Sequence, residues 1–80
     1  MARNAIDIIA DAKRKIDKER GNARFASRPF ENANLALQYV APENYGGNNK
    51  SEWIRRLAKA AALILCEIET IQAIKGDGIL

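Results

Sequence analysis

The chain contains no histidine and a single cysteine, Cys66, among its 80 residues. Without histidine it lacks the commonest general base and the commonest neutral metal ligand. One cysteine excludes an intrachain disulfide and any cysteine–histidine zinc set, and it fits a reduced, cytoplasmic setting. Long hydrophobic runs are missing too. The longest, Ala60–Cys66, is far below the roughly 20 residues that span a bilayer. Met1-Ala2-Arg3-Asn4 leads directly into charged sequence, so no secretory signal is expected. Prolines are confined to Pro29 and Pro42, which leaves long stretches free to form helices.

What remains is helical patterning over a length that suits one small domain. At this size only about 60% of the unfolded chain's surface is buried, so good packing or self-association is needed. Asn4 is placed to cap a first helix reaching Arg20, with Asp7 in its first turn and Gly21-Asn22 ending it. Ile6, Ile9, Ala12 and Ile16 form its expected buried stripe. Ser27 followed by Pro29 marks the start of a second helix, about residues 29–40, which stops where Ala41 precedes Pro42. Phe30, Ala33, Leu37 and Val40 share one face of it. Pro42–Lys50 reads as a loop, and Asn49 with Glu52 fits a capping box opening a third helix that Gly76 closes.

That third helix, about 50–75, dominates the chain. Ile54, Leu57, Ala61, Ile64, Ile68 and Ile71 recur at spacings of three and four, while Ala58, Ala60, Ala62, Leu63, Leu65 and Cys66 fill most other faces. A helix apolar on nearly every side needs partners on more than one side, either both other helices or a second copy of the chain. The expected fold is therefore all-α: one domain over residues 1–80, a compact three-helix bundle with two short helices packed on one long C-terminal helix. A homodimer through helix 50–75 is the further expectation.

The net charge of +3 is unevenly placed. Lys13, Arg14, Lys15, Lys18, Arg20, Arg24 and Arg28 face only Asp17 and Glu19 between them. Such a basic end suits an anionic partner, or it is a solvated face laced by pairs such as Asp11–Lys15 and Lys13–Asp17. Trp53, with Tyr39, Tyr45, Arg55 and Arg56, surrounds the 42–50 loop, and these residue types dominate binding hot spots. The candidate partner-binding residues are thus Lys13, Arg14, Lys18, Arg20, Arg24 and Arg28 on one surface and Tyr45, Trp53, Arg55 and Arg56 at the other.

Catalytic patterns are sparse. Tyr45-Gly46-Gly47-Asn48-Asn49-Lys50 lacks phosphate-loop spacing, and Ser27 and Ser51 sit where helix caps belong. Helical carboxylates can gather magnesium, as in all-α nucleotide pyrophosphohydrolases. Here only Asp7, Asp11 and one of Glu67 or Glu69 could meet, because residues two apart point to nearly opposite sides of a helix. No cofactor and no catalytic residue is expected.

Three stretches in order, DAKRKIDKERG, NLALQYV and RRLAKAAALILCEIETI, resemble a group of short bacteriophage and prophage proteins. That group's pattern runs ERQRQI-x-x-EG, then a segment ending LALAAACYA, then RRDLVKAAALILAEIERL. The match is sharpest from Arg55 through Ile68, including Lys59, Ala60, Ala61 and Glu67. Asn22–Pro29 stands where the group has an acidic, histidine-containing segment. The resemblance implies a small accessory protein of a mobile element, and it brings no site residues with it. Proteins of that kind work by blocking a host machine, a CRISPR-Cas defence complex for example. The resulting expectation is a non-enzymatic inhibitor or modulator of a host protein or nucleoprotein complex. The alternatives are a nucleic-acid-binding protein using the basic 13–28 surface and, third, the magnesium-dependent hydrolase.

Overall fold

The computed structural model describes residues 3–25, 27–41 and 49–74, with the side chains of Arg24 and Phe25 outside that description. Three α-helices form: α1 (Ala5–Arg20), α2 (Glu31–Val40) and α3 (Lys50–Gln72), with a 3-10 turn over Gly21–Phe25. Among the described residues there is no strand. Local chemistry sets most of the boundaries. Asn4 Oδ1 accepts the Asp7 amide hydrogen at 2.8 Å, and Asn49 Oδ1 accepts that of Glu52 at 3.0 Å; both are side-chain N-caps. Gly21 closes α1 at a φ of +55°, donating its amide to the Asp17 carbonyl, a conformation that costs glycine nothing. Ala41 is extended, as a residue preceding proline must be. The 42–48 loop and Gly76 lie outside the described residues, and α3 ends at Gln72 with Ala73 as its C-cap, short of the expected 75 and of the glycine expected to close it.

The start of α2 differs from the expectation. Pro29 and Phe30 form a turn, and the helix begins at Glu31 with Phe30 left-handed at φ +70° and no side-chain cap of its own. Glu67 of α3 supplies the missing acceptors instead. Its Oε2 takes the Phe30 amide hydrogen at 2.8 Å and its Oε1 that of Ala33 at 3.0 Å. A capping anion from another helix satisfies the orphan donors and favours the positive end of the helix dipole.

Both shorter helices pack on α3 and barely on each other. Phe30 and Ala33 meet Glu67, whereas Tyr39 lies near Lys59, so α2 runs antiparallel to α3. The shared core is Ile16, Ala36, Ala60, Ala62, Leu63 and Cys66, edged by Ala12, Leu35 and Tyr39. Alanines let the helix axes approach closely but bury little apolar area.

The faces chosen for burial correct the reading from periodicity. Of the α1 stripe, Ile16 is buried but Ile6 is 78% exposed. In α2 the face with Phe30, Leu37 and Val40 points outward, Leu37 at 64% exposure, while Asn32 and Ala36 are buried. On α3 the regular stripe of Ile54, Leu57, Ile64, Ile68 and Ile71 is the exposed one. The extents of 45 × 28 × 19 Å explain this. The molecule is about two helix diameters deep, so α1 and α2 cover one side of α3 and leave the other bare.

Candidate partner-binding site

The carboxylates that a magnesium hydrolase would need are held apart. Glu67 is turned toward the α2 N-terminus, as described. Glu69 Oε1 lies 2.8 Å from Lys13 Nζ, which also bonds Asp17 Oδ2 at 2.6 Å. Asp11 pairs with both Arg3 and Arg14 rather than with Lys15. Asp17, Cys66 and Glu69 do place three potential ligand atoms within 4.8 Å of one another. The Lys13 ammonium already occupies the charge position between the two carboxylates. Burial pushes the Cys66 thiol above its ordinary pKa, which keeps it a protonated core residue.

Lys13 therefore ties α1 to α3, its side chain only 13% exposed. Burial works against its charge, but the bonds from Asp17 and Glu69 outweigh that and raise its pKa. Arg20 is similarly engaged, donating from an Nη atom to Asn32 Oδ1 at 2.8 Å. Of the basic 13–28 surface this leaves Lys15, Lys18 and Arg28 exposed without an ion pair among the described residues, and Arg14 exposed but bound to Asp11. Arg24 and Tyr45 fall outside what the structure describes for side chains.

Of the second group of candidates, Arg55 and Arg56 share one cleft, Trp53 does not line it, and Tyr45 lies outside the described residues. Arg55 and Arg56 line a cleft of about 370 Å³ between α2 and α3 with Leu35, Gln38 and Tyr39. Glu52 hydrogen-bonds the Arg55 guanidinium and lies in ion-pair range of that of Arg56. Arg55 donates from Nε at 2.9 Å and from its Nη at 2.5 Å, and Arg56 Nε lies 3.3 Å away. The Arg55 hydrogen bond, more than any other cause, holds the Glu52 carboxyl below its usual pKa, and the same bond raises that of Arg55. Lys59 Nζ sits 6.0 Å from the Tyr39 ring centroid, within cation–π range. Trp53 is half-buried one turn earlier on α3.

Periodicity missed how α1 joins this cleft. Lys15 lines a groove between α1 and α3 with Arg55 and Lys59, and Glu19 with Asp11 adds acidic edges. Arg55, Arg56 and Lys59 thus lie around Tyr39, and Arg55 and Lys59 also face Lys15 across the neighbouring α1–α3 groove. Arg28 lies at the opposite end of α2, next to the Glu67 level of α3. The separation is about 18 Å along the α3 axis. One chain therefore carries two separate cationic ends.

No known family matches this chain, and no curated protein or solved structure is similar to it. No helix among the described residues is long and apolar enough to cross a membrane.

Proposed function

We propose that this is a small non-enzymatic binding protein of phage type that inhibits or modulates a host macromolecular complex in the cytoplasm by occluding one of its surfaces. The observation that carries the reading is the Tyr39–Arg55–Arg56 cleft with Lys59 and Lys15 beside it. Arginine and tyrosine on a preorganised helical frame supply anchoring contacts at low entropic cost. Glu52 fixes the Arg55 guanidinium through two hydrogen bonds before any partner arrives, with Arg56 beside it in ion-pair range. The complementary surface is an acidic protein groove offering carboxylates to a paired guanidinium fork.

Nucleic acid fits less well. Phosphate affinity grows with the number of cations that engage together. Here the cations are split between two ends, and the part-buried Lys13 and Arg20 are held by groups of the chain itself.

The experiment is a pull-down of tagged protein from host lysate, with and without nuclease, beside the double variant Arg55→Glu/Arg56→Glu. A stoichiometric protein that survives nuclease and is lost with the variant supports the reading. Recovery of only nuclease-sensitive material replaces it with nucleic-acid binding. Nucleotide hydrolysis with magnesium, abolished by Asp11→Ala, would replace both.

A further inference from the structure

The uncovered side of α3 is the largest feature that neither the fold nor the cleft uses. We propose that it is the interface of a homodimer in which two α3 helices pack antiparallel through Ile54, Leu57, Ala61, Ile64, Ile68 and Ile71. Five of these are large apolar side chains left exposed by α1 and α2, Ile64 at 50%. Their intervals are three, four, three, four and three residues. That alternation sets all six on one face of the helix, at the spacing that antiparallel helix pairs use.

The spacing also identifies the occupant. An interval series that reads the same in both directions is complementary to its own reversed copy, the requirement for a twofold interface. In the antiparallel register Ile54 meets the partner's Ile71, Leu57 meets the partner's Ile68, and Ala61 meets the partner's Ile64. Every layer is then filled, and the one small residue faces a large one. A parallel pair would set Ala61 against its own copy and leave a gap.

Antiparallel packing also opposes the two helix dipoles. The size is adequate as well. The strip exposes on the order of 500 Å² of apolar surface, so two copies cover about 1,000 Å², where specific interfaces begin. A groove of about 380 Å³ between α1 and α3, including Ala5, Ile8 and Ile9, borders Ile54 and Leu57. It receives the C-terminal end of the opposite α3. Dimerisation leaves the Arg55–Arg56 cleft on the outside, once per copy.

The test is sedimentation of the full chain across a concentration series, with Ile64→Glu and two cysteine variants beside it. The expected result is twice the chain mass, halved by Ile64→Glu with helical circular dichroism retained, because Ile64 lies outside the single-chain core. Should Ile64→Glu fail to fold, oxidation of the cysteine variants decides. Ile54→Cys/Ile71→Cys is expected to link covalently into dimers, and Ile54→Cys alone is not. A monomeric chain at every concentration, a dimer unaffected by Ile64→Glu, or efficient linking of Ile54→Cys alone each overturns the proposal. So does a chain that is monomeric by itself and gains mass only with a different protein.

Discussion

Glu67, more than halfway along α3, accepts the amide hydrogen of Phe30 at 2.8 Å and so caps a helix to which it does not belong. The carboxylate is buried, and its second oxygen takes the Ala33 amide. Replacing Glu67 by Ala leaves these donors without their acceptor, at a cost of about 2–3 kcal/mol. For a domain of this size that lowers Tm by on the order of 10 °C. Glu67→Gln retains one carbonyl acceptor and should fall between. Thermal unfolding of the two variants checks the order.

Phe30 itself sits in the left-handed region with its ring 62% exposed. A non-glycine residue there costs roughly 1 kcal/mol or more, and little burial is lost by truncating an exposed ring. Phe30→Gly is therefore expected to stabilise by about 0.5–1 kcal/mol. Denaturant unfolding at fixed protein concentration measures it.

Lys13 bridges Asp17 and Glu69. Lys13→Met leaves two carboxylates facing each other across the helix contact and is expected to cost about 1–2 kcal/mol, reduced from a fully buried pair by the solvent reaching Glu69. The lysine's pKa is raised on folding from its ordinary 10.5. Its contribution is therefore complete below that value and disappears as pH climbs through the higher folded value. Unfolding midpoints followed into the alkaline range should fall for the natural chain and converge on those of Lys13→Met.

Asp11 and Glu52 titrate in the opposite sense. The Arg3 hydrogen bond, ahead of the contribution of Arg14, depresses Asp11 below 3.8, and Arg55 then Arg56 depress Glu52 below 4.5. Such groups stabilise above their ordinary values and cease to do so as pH falls through the lowered ones. Both lie at the surface, so salt weakens the effect. Carboxylate titration by NMR at about 1 M salt, where the Debye length is about 3 Å, should return both toward ordinary values.

The helices and most of their ends, though not the end of α3 at Gln72, were legible because they depend on neighbours in the chain. Asn4 and Asn49 accept amides, and Gly21 donates its amide to a carbonyl, all within about a turn of themselves, and Ala41 is governed by the next residue. The α2 start was not legible in this way. Ser27 and Pro29 carry a sound local signal, but a carboxylate 37 residues from Phe30 provides the cap. Of the candidate site, Arg55 and Arg56 were found through residue type. The meeting of Arg55 with Lys15 across the α1–α3 groove depends on a helix crossing that no local pattern encodes.

The sequence by itself determined three helices, an all-α class and a third helix with too much apolar surface for one neighbour. Only the tertiary structure decided which side of that helix faces inward. The six-residue stripe is the more regular, yet the core uses Ala58, Ala60, Ala62, Leu63 and Cys66 instead. Periodicity cannot rank two apolar faces of one helix. The choice falls to what the neighbouring helices can satisfy: small side chains that admit close backbones, and Glu67 and Glu69 placed to meet the amides of α2 and the ammonium of Lys13. A buried polar group must find its partner, and that requirement turned the larger residues outward.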